Sequence, residues 1–239
     1  MATENVIHFP VPKKSAEELA QGLWFPPYAE PDQMTLDAYA RANIADGSEK
    51  RREAHRAIVE QGRQAFIDGH ASSFLFSASS ANRMRMVEWN AVLLKERGIY
   101  EEALLCAITN TRTNNHSTPL RVFRDLFDWA DRAKLLSAGD PLPSPGPFTL
   151  YRGVAGKAER DRRVRGISWT GTLAKAAWFA NRPGFGLPNP EVYRCVVDAK
   201  HVLAYVGSHR NEDEYVVDLP RSVKVERVAL PLPEPKEAA

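Results

Sequence analysis

An arginine set among apolar residues, two hydroxyls at a strand end and two glutamates one residue apart are the parts of this sequence best suited to chemistry. Phe148-Thr149-Leu150-Tyr151-Arg152-Gly153 reads as a strand, and alternate strand residues share a face. Phe148, Leu150, Arg152 and Val154 therefore lie together. An arginine on such a face is costly to bury unless its guanidinium meets an anion. Its planar fork of donors suits a phosphate. Pairing with a carboxylate, or reaching water at the strand end, is the plainer alternative. Gly153 lets another backbone or a ligand approach closely.

The second stretch, Ile167-Ser168-Trp169-Thr170-Gly171-Thr172, ends a strand in hydroxyls and opens a helix at Thr172. Ser168 and Thr170 share a strand face and can orient another side chain, or can satisfy local backbone groups. The third is Asn211-Glu212-Asp213-Glu214-Tyr215-Val216. It puts Glu212, Glu214 and Val216 on one face. Two carboxylates held together repel, and if buried they point to a functional site; an exposed edge strand with solvated acids is the common alternative.

Two different kinds of element must position these residues. Residues 15–138 carry helical periodicity almost throughout. Ser15 and Glu18 suit a capping box. Pro31–Asp32 opens a helix through Asp46, and 48–68 forms a charged helix with Ala54, Ile58, Ala65 and Phe66 inward, ended by Gly69. One helix is expected over 80–97, with Met84, Val87, Ala91 and Leu94 inward and Gly98 at its end. Another spans 100–109. A last one spans 119–138, with Val122, Leu126, Trp129 and Ala133 inward and Gly139 at its end.

Residues 139–147 hold four prolines and two glycines and mark a linker. Beyond it the period changes to that of strands, expected at 148–154, 165–169, 191–198, 202–206, 212–219 and 222–230, with one helix over 173–181 whose inner stripe is Leu173, Ala176, Ala177 and Ala180. Residues 1–14 read as a flexible arm and 231–239 as a disordered tail.

Taken in order, the Tyr-Arg-Gly strand, the Ser-x-Thr strand end feeding a Trp-Phe-Ala helix, and Glu-x-Glu opening a strand resemble the arginine–serine–glutamate class of mono-ADP-ribosyltransferases. The resemblance covers residues 148–230. It implies an α+β chain: a helical N-terminal region followed by a split, mixed β-sheet catalytic domain. It also implies transfer of ADP-ribose from NAD, as substrate, to an acceptor with release of nicotinamide and without a metal.

Carried over to this sequence, Arg152 would hold NAD, with Gly153 beside it. Ser168 would orient the catalytic Glu214 and support the nicotinamide ribose, with Thr170 assisting. Glu212 would activate or recognise the acceptor. The Gly- and Pro-rich loop 181–190 would cover the cofactor, Phe185 stacking on nicotinamide and Arg182 touching a phosphate, unless it is an ordinary connection. Residues 207–211 would form the acceptor-recognition turn. Many relatives carry Ser-Thr-Ser where this chain has Ser168-Trp169-Thr170, which weakens the assignment of Thr170 more than that of Ser168.

Glu212 favours a protein acceptor, at arginine, over a nucleic acid, and the implied setting is a bacterial or phage toxin or effector. The helical region would bind the target, a neutralising or regulatory protein, or the cleft. Modification of a nucleic acid or hydrolysis of NAD on the same fold, and a non-catalytic binding module, stay open.

Composition excludes little else. The 32 basic and 30 acidic residues nearly cancel, which gives no general attraction to nucleic acid or acidic membranes. The basic stretch Lys157, Arg160, Arg162, Arg163, Arg165 is interleaved with Glu159 and Asp161 and reads as a solvated loop. Cys106 and Cys195 lack metal spacing, and His116 and His209 lack partners at diagnostic spacing. No apolar run reaches membrane-spanning length and no signal peptide follows Met1, so a cytoplasmic protein is expected, with export by a dedicated machine left open.

Overall fold

The computed structural model describes residues 14–29, 41, 48–110, 118–158, 162–182, 187–207 and 213–229. The expected arm, the helix opening at Pro31–Asp32, the tail, and Arg160, His116, His209, Phe185 and Glu212 lie outside these residues. The chain is α+β, with helices concentrated in the N-terminal part and a sheet following. Among the described residues no helix is long and apolar enough to cross a membrane.

Ser15 caps α1 (Ala16–Gln21) through the reciprocal box with Glu18. Helix α2 (Ser48–Asp68) stops at Gly69, whose φ of +81° only glycine adopts freely. Its buried residues are Gly62, Ala65 and Phe66, whereas Ala54 and Ile58 are exposed. The inward side of the first half of α2 is instead occupied by half-buried Arg51, His55 and Val59. A short α3 (Ala71–Phe76), too short to show a period, buries Phe74 and Leu75.

The helix expected over 80–97 is two helices, α4 (Arg83–Trp89) and α5 (Ala91–Arg97). The break falls at Asn90, which is buried. Its carboxamide accepts from Trp24 N at 2.7 Å and donates to the carbonyls of Trp24 and Met86. A side chain that satisfies the backbone of a distant segment competes with helix continuity. Helix α6 (Tyr100–Thr109) is the most buried helical element. The expected 119–138 helix also divides, into α7 (Leu120–Asp128) and α8 (Arg132–Ala138), because Asp131 caps a new start by accepting from Ala133 N and Lys134 N. The inward residue of α8 is Leu135, while Ala133 and Trp129 are exposed.

The strands are β1 (Phe148–Val154), β2 (Ser168–Thr170), β3 (Glu191–Val197), β4 (Val202–Val206), β5 (Glu214–Val217) and β6 (Glu226–Val228), with α9 (Leu173–Ala180) after β2. They form one sheet in the order β4-β5-β2-β1-β3-β6, every recorded pairing antiparallel. This differs from the split, mixed sheet expected. Of the consecutive strands, β1 and β2 pair and β4 and β5 pair, each as the two arms of a chain reversal, which makes antiparallel neighbours. The 3-10 turn Ala199–His201 instead carries the chain from β3 to β4, which are not neighbours.

One face of the sheet carries Phe148, Leu150, Trp169, Cys195, Val197, Tyr215 and Val217. The other is shared. Helix α9 covers β1 and β3 through Ala176, Ala180 and Val192, while Ala204 and Val216 join the core of the helical region. The 139–147 segment therefore connects two regions that pack directly on each other. Arg132 reaches the carbonyls of Lys200 and Val202, and Arg163 reaches that of Thr118 at 2.8 Å.

Candidate active site

The three motifs meet at β2. Thr170 lies opposite Glu214 in the β2–β5 ladder and opposite Tyr151 in the β1–β2 ladder, while Ser168 lies opposite Val216. Ser168 and Glu214 are thus a diagonal pair on one face, a separation that a long side chain bridges. The Ser168 hydroxyl donates to Glu214 Oε1 at 2.5 Å. Glu214 is only 9% exposed, and Thr170 is buried beside it. The Thr170 hydroxyl accepts from Thr172 N at 3.5 Å, a local contact that steadies the turn into α9. The pair lies on the sheet face whose flanks are covered by α9 and by the helical region.

Trp169 holds β2 in place. It is buried, and its indole N–H donates to the Gly166 carbonyl at 2.7 Å. Helix α9 packs against β1 because residue 153 is glycine: a Cβ there would sit 1.9 Å from the Ala176 carbonyl oxygen. The backbone that Gly153 admits is that of α9.

Arg152 is 7% exposed and shares its face with Phe148, Leu150 and Val154, as alternation requires. Its guanidinium lies against Gly166 and donates to the carbonyls of Arg163, at 3.0 Å, and Ser168. It therefore braces the chain that enters β2 and carries Ser168. Burial pulls the Arg152 guanidinium down to about 10, with the Glu214 carboxylate opposing and Arg163 adding to the fall. It remains a cation at neutral pH.

The described arginines of the basic stretch are bound to the fold rather than solvated. Arg162 pairs with Glu191 and meets the Tyr193 hydroxyl at 3.1 Å, and Arg165 donates to the carbonyls of Val223 and Pro220. Arg182 sits 5.5 Å from the Trp178 ring, on the exposed side of α9.

Sequence reasoning missed the residues that shape the turn into β5. Asp213 has φ +50°, its carbonyl accepts from Gly171 N at 3.3 Å, and its carboxylate accepts from the Tyr205 hydroxyl at 2.9 Å. The available signal was the glycine directly after the Ser-x-Thr motif. A Cβ on Gly171 would lie 2.3 Å from Asp213 Oδ2.

No protein-family model, curated protein or solved structure matches the chain.

Proposed function

We propose that this protein is an NAD-dependent mono-ADP-ribosyltransferase that moves ADP-ribose to a protein acceptor, at arginine, and releases nicotinamide. The observation that carries the reading is the Ser168–Glu214 hydrogen bond. It joins two motifs that are far apart in sequence, and the third supplies Arg152, which donates to the Ser168 carbonyl from the other face of the sheet.

Breaking the bond between nicotinamide and the ribose anomeric carbon sends the electron pair to the cationic ring, which leaves neutral. Positive charge builds on the sugar, as in glycoside cleavage. A fixed Glu214 carboxylate stabilises that charge, and electrostatic placement of this kind is usually the largest catalytic contribution. Ser168 keeps the carboxylate aimed. An acceptor guanidinium nitrogen then forms the new bond to the anomeric carbon and gives up a proton to Glu212. Arg152 supports this arrangement through the Ser168 backbone, and its charge adds attraction for the NAD phosphates near the site. Gly153 serves the same site by seating α9, while Thr170, Arg182 and Phe185 keep their roles from the family resemblance.

The helical region contributes a wall beside the site and the surface for the target or for a neutralising protein. Trp89 and Val92, both exposed, supply apolar area for such a contact.

The test is nicotinamide release from labelled NAD by wild type and Glu214→Gln, with cell lysate present and then digested by protease or nuclease. Wild type is expected to transfer label in a protease-sensitive form, and Glu214→Gln to lose the reaction. Absence of turnover and of labelling by wild type would sink the enzyme reading. Nuclease-sensitive label would move the acceptor to nucleic acid, and turnover without label would make the protein a glycohydrolase.

A further inference from the structure

Tyr205 touches the chain on both sides of residues 208–212, the stretch that carries Glu212. On the near side, a Cβ on Gly207 would fall 2.3 Å from the Tyr205 hydroxyl oxygen, so only glycine fits against it. Gly207 N donates to Asp140 Oδ2 at 2.9 Å, and Asp140 N donates to the Tyr205 carbonyl at 2.7 Å. On the far side, the Tyr205 hydroxyl donates to Asp213 Oδ1 at 2.9 Å. Its ring lies 4.6 Å from that of Tyr215, its partner in the β4–β5 ladder, at a tilt of 46°.

Asp213 is the residue between the two glutamates, and its φ of +50° is uncommon for a non-glycine residue, Asn and Asp adopting it most readily. Glu214, the next residue, opens β5. Neither Tyr205 nor Asp213 has a part in the bond-making steps.

Resting on the transferase reading of the site, we propose that Tyr205 is a positioning residue. Through Asp213 its phenol fixes the backbone between the two glutamates and so holds Glu214 against Ser168. Burial, reinforced by the bond to Asp213, keeps this phenol protonated well above neutral pH, so it stays a donor.

The variants separate the contacts cleanly. Tyr205→Phe keeps the ring and its contact with Tyr215 and removes only the hydroxyl. Asp213→Gly keeps the left-handed backbone accessible, removes the carboxylate and also frees the backbone. Asp213→Asn keeps both an acceptor and tolerance of the backbone.

Steady-state nicotinamide release and 15N-glycine-labelled NMR spectra would be measured on the full chain, whose 14 glycines give a readable spectrum. Tyr205→Phe and Asp213→Gly are expected to lower kcat at least about tenfold with KM for NAD within about twofold, the scale of a misaimed catalytic group. The double variant should be no slower than the worse single, and Asp213→Asn should recover most of the rate. The Gly171 amide, bonded to Asp213, should shift in both single variants.

A wild-type kcat in Tyr205→Phe, or a loss confined to KM, overturns the proposal. If wild type itself releases no nicotinamide, the transferase reading falls, and the clamp is judged on the spectra alone. A Gly171 amide that moves in both variants supports it, and one that stays put overturns it.

Discussion

Two glutamates are buried among the described residues, one in each half of the molecule, and they are held in different ways. Glu101, in α6, accepts from Lys95 Nζ at 2.5 Å and from Asp131 N at 2.8 Å, where the chain turns between α7 and α8. Lys95 in turn donates to the Trp129 carbonyl and lies over the rings of Tyr100 and Trp129. A cation, an amide and two aromatic rings thus fix this acid at a helix junction. Glu214 is aimed by a serine hydroxyl from the neighbouring strand, at the meeting point of three motifs. Burial alone therefore does not mark a functional acid. The informative feature is whether its partners close a turn of the fold or orient the carboxylate relative to other reactive groups.

The comparison breaks most sharply at Glu214. Glu214→Gln is expected to cut nicotinamide release by about a hundredfold or more, as removal of one preorganised electrostatic group does. It should leave the melting temperature within a few degrees of wild type, because the amide oxygen still accepts from Ser168. A comparable loss of stability would make Glu214 a structural acid like Glu101.

A second test separates scaffold from chemistry within the sheet half. Gly153→Ala drives a methyl into the α9 backbone at Ala176, where no flexible side chain can yield. Overpacking of this kind costs about 3 kcal/mol, measurable by urea denaturation. Wild-type stability in Gly153→Ala would show that α9 is not seated as described.

Glu101→Gln sharpens the other side. It keeps an acceptor for Asp131 N but strands the Lys95 charge. Lys95 is partly solvated, so a loss of about 2 kcal/mol is expected, below the cost of breaking a fully buried pair. At temperatures where the variant is folded, its nicotinamide release should equal that of wild type.

Much of this was legible in the sequence because period and alternation are local. The strand at 148–154 and the helix at 173–180 emerge almost at their expected bounds. Ser168 and Glu214 fall on one face because alternation carries through the ladder between their strands. Two long helices were not legible as pairs: the break at Asn90 depends on contacts with Trp24, far off in sequence, and the one at Asp131 adds a contact with Glu101 to its local cap. The bracing role of Arg152 was hidden for the same reason. Alternation puts it among apolar residues but does not reveal that the Arg163 and Ser168 carbonyls are waiting there. Tyr205 and Asp213 carry no motif, and only the fold brings them together.

The smallest expected effect is the pH dependence of the Glu101 pair. Burial acts to raise the Glu101 carboxyl, but the hydrogen bonds from Lys95 and Asp131 N outweigh it, and the group lies below its ordinary value of 4.5. A carboxyl whose pKa is lower when folded binds fewer protons in the native state. Its contribution is fully present above the ordinary value and is lost as pH falls through the folded one. Asp131 and Glu226 are shifted the same way, Glu226 to about 2, so wild type loses stability over the same acid range for several reasons at once. The Glu101 share is isolated by difference. The gap in melting temperature between wild type and Glu101→Gln should be constant near neutral pH and narrow as the pH is taken below 4.5. A gap that persists unchanged into that acid range would mean that the amide fails to fit the turn between α7 and α8, and that the Lys95 charge is not what holds Glu101.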